Sequence, residues 1–232
     1  MSNSDSFIDE VTEEVRRDRL FRLMRRYGWI GILAIVLLVG GAAWNEWRKA
    51  QARAEAEAFG DAVIVALAAP EGAGRAAALE AVTAPGPGAE AVARLLAAAE
   101  RAAQDAPGAA TRLLALADRG EVPAIYRDIA TLKAVALPGA GLDAETRRAR
   151  LAPLAARQGL IRLLAEEQLA MIDIETGARA EALERLGALA VDAEATPPLR
   201  RRVAQAIVAL GEDVPDIPGQ TVDAGMDAGN TQ

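Results

Sequence analysis

Between Arg26 and Glu46 the chain runs for 19 residues, Tyr27 to Asn45, without a charge. At about 1.5 Å of rise per residue such a run makes a helix of roughly 28 Å, close to the ~30 Å hydrocarbon core of a bilayer. Backbone polar groups in lipid have no water to bond to, so a segment of this kind spans as a helix. Tyr27 and Trp29 stand at one end and Trp44 and Trp47 at the other, and these four belong to a set of only eight aromatic residues in the chain. Amphipathic rings settle at the headgroup level, so the four are read as two membrane belts. A cleaved signal peptide is the rival reading, with Gly41-Ala42-Ala43 as its cleavage site. Its apolar region would span about 7–15 residues behind a short basic leader. Here the run is longer and follows 26 residues.

Flanking charge gives the orientation. Arg16, Arg17, Arg19, Arg22, Arg25 and Arg26 precede the run, and Arg48, Lys49 and Arg53 follow it. This asymmetry places the N-terminus in the cytoplasm and exports the rest. Residues 1–26 carry six basic and six acidic groups, so the whole net charge of −7 falls on the remainder, with 20 basic against 27 acidic. A domain of that sign is repelled by anionic lipid and by nucleic acid, and no nucleic-acid partner is expected. Gly28, Gly31, Gly40 and Gly41 make no small-xxx-small face, so pairing of membrane helices is not indicated.

Ala, Leu, Arg and Glu crowd the chain while aromatics are 3%, a composition that predicts an all-α fold. There is no His and no Cys, and the only serines are Ser2, Ser4 and Ser6. Thiolate and imidazole chemistry, N- or S-ligated zinc, and Ser-His-Asp or Cys-His catalysis are thereby excluded. Lys49 and Lys133 are the only lysines, which argues against a Schiff base. The expectation is a protein that is not an enzyme and takes no cofactor, metal or small-molecule substrate.

Beyond Glu46 the helix is predicted to continue as a polar stalk as far as Gly60, helped by Arg53 and Glu57 at i, i+4. Pro and Gly then punctuate the chain into segments of helix length. The pattern L-x-x-L-A recurs at Leu113, Leu116 and Ala117, at Leu151, Leu154 and Ala155, and at Leu186, Leu189 and Ala190, with spacings of 38 and 35 residues. A degenerate copy, Leu79-Glu80-Ala81-Val82, lies 34 residues before the first. A helix–turn–helix unit with a period of about 34 is the length of the tetratricopeptide (TPR) repeat. The six leucines are expected to form the repeat core. The intervening helices show apolar stripes at Val92, Leu95, Leu96 and Ala99, at Ile125, Ile129, Leu132 and Ala136, and at Ile161, Leu164, Met171 and Ile172. The last helix carries Leu199, Val203, Ile207 and Leu210. The best copy joins Leu169-Ala170 through Gly177 to Ala182-Leu183, without the signature Trp and Tyr.

The expected layout is a cytoplasmic segment over 1–26, a transmembrane helix over 27–47, a TPR-like α-solenoid of four hairpins and a capping helix over 48–211, and a disordered tail over 212–232. Glu166, Glu167, Asp173 and Glu175 are expected on a solvated helix face, since side chains at i and i+2 point apart and build no acid/base pair. Arg147, Arg148 and Arg150, and Arg200, Arg201 and Arg202, are expected as solvated surface, the alternative being a grip on a partner where they cluster in space. Glu184 and Arg185 are placed opposite the buried Leu186. Gly139-Ala140-Gly141 lacks the further glycines and the Lys of a phosphate loop.

The charged N-terminal segment, the helix ending at Trp44 and Trp47, the Ala-rich stalk and the degenerate repeats together resemble the TPR-like ancillary subunit family of the SecYEG translocon. The repeat domain is also similar to that of the cell-division coordinator family. The nearest stretch is Leu160–Gly211, including Ala165-Glu166-Glu167-Gln168-Leu169-Ala170 and Glu181-Ala182-Leu183-Glu184-Arg185-Leu186. The resemblance implies a single-pass bacterial inner-membrane protein with a periplasmic domain. Its partners would be the translocon, periplasmic folding factors or client chains. The alternative is a structural accessory subunit of another inner-membrane complex, respiratory or division-related.

Overall fold

The computed structural model describes the backbone of residues 3–215, with side chains from residue 24 onward. Among the described residues there are nine helices and no strand. They are α1 (Asn3–Leu67), α2 (Ala73–Glu80), α3 (Pro87–Ala102), α4 (Ala106–Ala117), α5 (Ala124–Ala136), α6 (Ala144–Ala155), α7 (Leu160–Glu175), α8 (Arg179–Val191) and α9 (Pro197–Ala209). The chain divides into two compact units, Met1–Ala58 and Phe59–Gln232, with the boundary inside α1.

Local chemistry sets the helix ends. Asp105 caps α4 by accepting from the Gly108 N–H at 2.9 Å, and Asp143 caps α6 by accepting from Thr146 at 2.7 Å. Proline occupies the first turn of α3, α4 and α9, where its missing N–H costs nothing. At the α7–α8 turn Gly177 adopts φ 79°, Ala178 donates to Asp173 O and Gly177 donates to Ile174 O. This is a Schellman end, which needs the left-handed residue that glycine supplies.

The stalk does not stop at Gly60, contrary to the expectation from sequence. α1 continues to Leu67, and the break comes ahead of Pro70. A mid-helix glycine costs about 1 kcal/mol relative to alanine. Packing offsets it here: Val63 and Ala66 lie against Leu79 and Ala97.

In the second unit packing follows chain order. Each helix from α2 to α9 contacts the next, and α3 with α5 and α5 with α7 also come close. All six repeat leucines are buried: Leu151 and Leu186 have no exposure, and Leu113, Leu116, Leu154 and Leu189 are at most 5% exposed. Leu113 and Leu116 join the α3–α5 core, Leu151 and Leu154 the α5–α7 core, and Leu186 and Leu189 the α7–α9 core.

The intervening helices differ in detail from their predicted stripes. In α3 the buried positions are Ala91, Ala93, Ala97 and Ala98, while Ala99 is exposed. In α5 they include Ala130, Ala134 and Val135, while Ile125 is half exposed. A helix flanked on two sides buries two stripes, and alanine is what lets the flanking helices approach closely. Leu199, Val203 and Ile207 of α9 are buried as the spacing predicts. At the start of the tail, Glu212 accepts from Arg179 at 2.8 Å and Val214 packs on the α7–α9 core. The rest of the predicted tail, 216–232, lies outside the described residues.

Candidate membrane segment and interaction surface

The first unit offers an apolar helical surface with nothing packed on it. The most apolar 18-residue window of α1 has a mean hydropathy of 1.9, and none of it is buried. Tyr27, Trp29, Trp44 and Trp47 are between 51% and 62% exposed. Trp44 and Trp47, three apart on one helix face, hold their rings 5.1 Å apart between centroids, and the Arg26 guanidinium sits 5.9 Å from the Tyr27 ring. A helix of this length and hydropathy can cross a membrane, and a signal sequence fits the same description.

The chemistry of the second unit lies in its arginines. Arg75 of α2 bonds Glu100 of α3 at 3.2 Å, and Arg119 after α4 clamps Glu90 of α3 with two bonds of 2.8 Å. Arg150 of α6 reaches Asp118 at the end of α4 at 2.5 Å, and Arg157 reaches Asp128 of α5. Arg148 of α6 and Arg185 of α8 hold Asp173 of α7 from two sides, at 2.6 and 2.9 Å. Arg185 also bonds Glu166, and Arg147 bonds Glu175. Arg202 of α9 binds Glu167 of α7 through two bonds of 2.7 Å, and Arg162 takes Asp192 and Glu194 beyond α8. These pairs form rungs that tie each helix to a later one.

Three expectations from sequence are corrected here. The carboxylates of α7 are only in part a solvated face: the Glu167 and Asp173 side chains are 8% and 6% exposed, while Glu175 is exposed as expected. The arginine runs are only in part free surface, because Arg147, Arg148, Arg150 and Arg202 each hold a carboxylate of another segment, while Arg201 is exposed. Arg185, placed opposite Leu186, is instead the joint between α7 and α8. The physical reason is common to all three. In a stack of helices the face turned from one neighbour meets the next, and a carboxylate there persists only with a guanidinium against it.

Several of the rungs favour the ionised form of their carboxylate. Hydrogen bonds from Arg119 and then Arg94 hold the Glu90 carboxyl down at about 2. Arg150, Arg147 and Arg162 lower Asp118, Glu175 and Asp192 in the same way. A carboxyl depressed in the folded state adds stability that is fully present above its ordinary value and lost as pH falls toward the folded one. For Glu90 that window runs from 4.5 down to about 2. Wild type is therefore expected to unfold at higher urea than Glu90→Gln above the window, with the gap closing across it in a urea series at stepped pH. A gap independent of pH would show that the Arg119–Glu90 rung contributes nothing.

Two adjoining clefts open between α2, α3 and α4. The larger, about 290 Å³, is lined by Leu79, Val82, Ala84 and Pro87 with Glu80, Glu90 and Arg94. The smaller, about 220 Å³, is lined by Arg94, Arg112, Arg119 and Glu80 with Ala115 and Leu116. Sequence reasoning missed them, because only the packing of three helices brings residues 80, 94, 112 and 119 together.

No protein-family description, curated protein or solved structure matches the chain.

Proposed function

We propose that this protein is a non-catalytic scaffold, held in a bacterial inner membrane by one helix, with its N-terminus in the cytoplasm and a TPR-like repeat domain in the periplasm. It stands beside the Sec translocon and holds folding factors or emerging client chains. The observation that carries this reading is the pairing of one unburied apolar helix with a domain whose buried carboxylates are engaged in ties between helices. Asp128, Glu167 and Asp173 each hold a guanidinium of another segment, so their oxygens are taken up in ties between helices. A row of helix pairs offers an extended surface suited to polypeptide ligands.

Copurification in mild detergent tests the neighbour. The translocon and periplasmic folding factors are expected, and recovery of a respiratory or division complex in their place would replace this reading with that of an accessory subunit. The anchor is tested separately. The mature protein is expected to begin at or near Met1, to resist carbonate extraction and to activate an export-dependent reporter fused after Gln232. A mature N-terminus near Trp44 would make the run a signal peptide, and an inactive reporter would reverse the orientation.

A further inference from the structure

The rungs between α2, α3 and α4 differ from the others in what they leave over. Arg94 gives Nε to Glu90 and keeps Nη2 2.6 Å from the same oxygen, and Arg112 gives Nη1 to the carbonyl of Gly108 with Nε 3.3 Å from Glu80. Nη1 of Arg94 and Nη2 of Arg112 have no acceptor among the described residues. Both side chains are half exposed, at 53% and 50%, and both line the smaller cleft. With Arg101, which shares Glu80, and Arg119, which joins Glu90 to Glu121, four guanidiniums stand against three carboxylates. The site is locally positive on a domain whose net charge is −7, so it attracts what most of that surface repels.

We propose that the paired clefts bind an acidic polypeptide segment, one carboxylate of which is taken by Arg94 and Arg112. This names a ligand chemistry for the scaffold described above and rests on its reading as a binder of polypeptides, not on the identity of its membrane neighbour. A polypeptide is favoured over a small anion by the larger cleft. Its apolar walls, Leu79, Val82, Ala84 and Pro87, serve the residues beside the captured carboxylate, and the two clefts join through Glu80 and Arg94. A nucleic acid is disfavoured because neither cleft is lined by an aromatic ring for base stacking. Guanidinium donors fit a carboxylate through paired N–H bonds, and these strengthen where solvent is partly excluded.

The test is fluorescence anisotropy of the full chain in mild detergent with a short fluorescein-labelled peptide in which glutamate alternates with alanine or leucine. Saturable binding is expected, weakening as salt shortens the Debye length from about 30 Å to about 8 Å. The double variant Arg94→Gln/Arg112→Gln is expected to bind about tenfold more weakly or less, as loss of two charge-assisted donors implies. Arg201→Gln, an exposed arginine of α9, is expected to bind as wild type. Circular dichroism checks that the double variant stays helical; if it does not, the single Arg112→Gln variant carries the comparison. Equal binding of a glutamine version of the peptide, no saturable binding, or wild-type affinity in the arginine variants overturns the proposal. Peptide binding without a copurified translocon sinks the proposed neighbour alone. A copurified translocon without peptide binding sinks the cleft alone.

Discussion

Leu186→Ala is expected to lower the unfolding free energy of the second unit by about 2–5 kcal/mol, the range for deleting a buried leucine where the surroundings collapse only partly. Leu186 has no exposed surface and belongs to the core formed with Leu163, Ala170, Leu189, Leu199 and Val203. The cavity would open between α7, α8 and α9, whose backbones are held in place by the Arg202–Glu167 and Arg185–Asp173 bonds and so have little freedom to close it. The measurement is urea unfolding of the full chain in mild detergent, followed by circular dichroism. Glu184, exposed and two residues away, is the proper comparison, and Glu184→Ala is expected to stay within about ±0.5 kcal/mol. Arg185 is unsuitable as a neutral control because of its two carboxylate partners. A Leu186→Ala variant that unfolds with wild type would mean that α7, α8 and α9 do not meet at this leucine.

The second large effect comes from a charge. Arg202→Ala strips Glu167 of both its 2.7 Å bonds and leaves a carboxylate with 8% side-chain exposure and no counter-charge. Orphaning a buried ion costs about 3–5 kcal/mol, and the lower end applies here because Arg202 itself is half exposed and water can enter where it stood. The diagnostic is the double variant. Adding Glu167→Gln removes the stranded charge, so Arg202→Ala/Glu167→Gln is expected to be more stable than Arg202→Ala alone. An additive double variant, or a single variant within experimental error of wild type, would show that the rung is ornamental to stability.

Sequence patterning reached the helices and the leucine cores because both depend on short-range spacing. Leu151 and Leu154, or Leu186 and Leu189, sit three apart on one helix face, and a period of 35–38 residues repeats that face. It failed on Asp173 and Glu167 because burial of a carboxylate is decided by a residue on another helix. Glu166 and Glu167 are adjacent, yet one turns to Arg185 of α8 and the other to Arg202 of α9. One clue was present: Arg202 follows Glu167 by 35 residues and Arg150 follows Asp118 by 32, close to one repeat. Searching for opposite charges at the repeat spacing would have paired them. The paired clefts had no such clue, since their arginines are gathered by three helices at unequal spacings.

The helix contacts have a consequence for how the chain assembles. The principal contacts of the second unit join a helix to its neighbour or next neighbour, and its longest ion-pair separation is 35 residues. Low contact order of this kind favours rapid folding, because little loop entropy is lost before each contact forms. It also allows vectorial folding. As the chain emerges from its N-terminal end, each new helix meets a surface already formed by the one or two before it. Among the described residues no helix of this unit waits for a distant partner still to be made, and the apolar side of α3 or α5 need be uncovered only for the time required to deliver the next one or two helices.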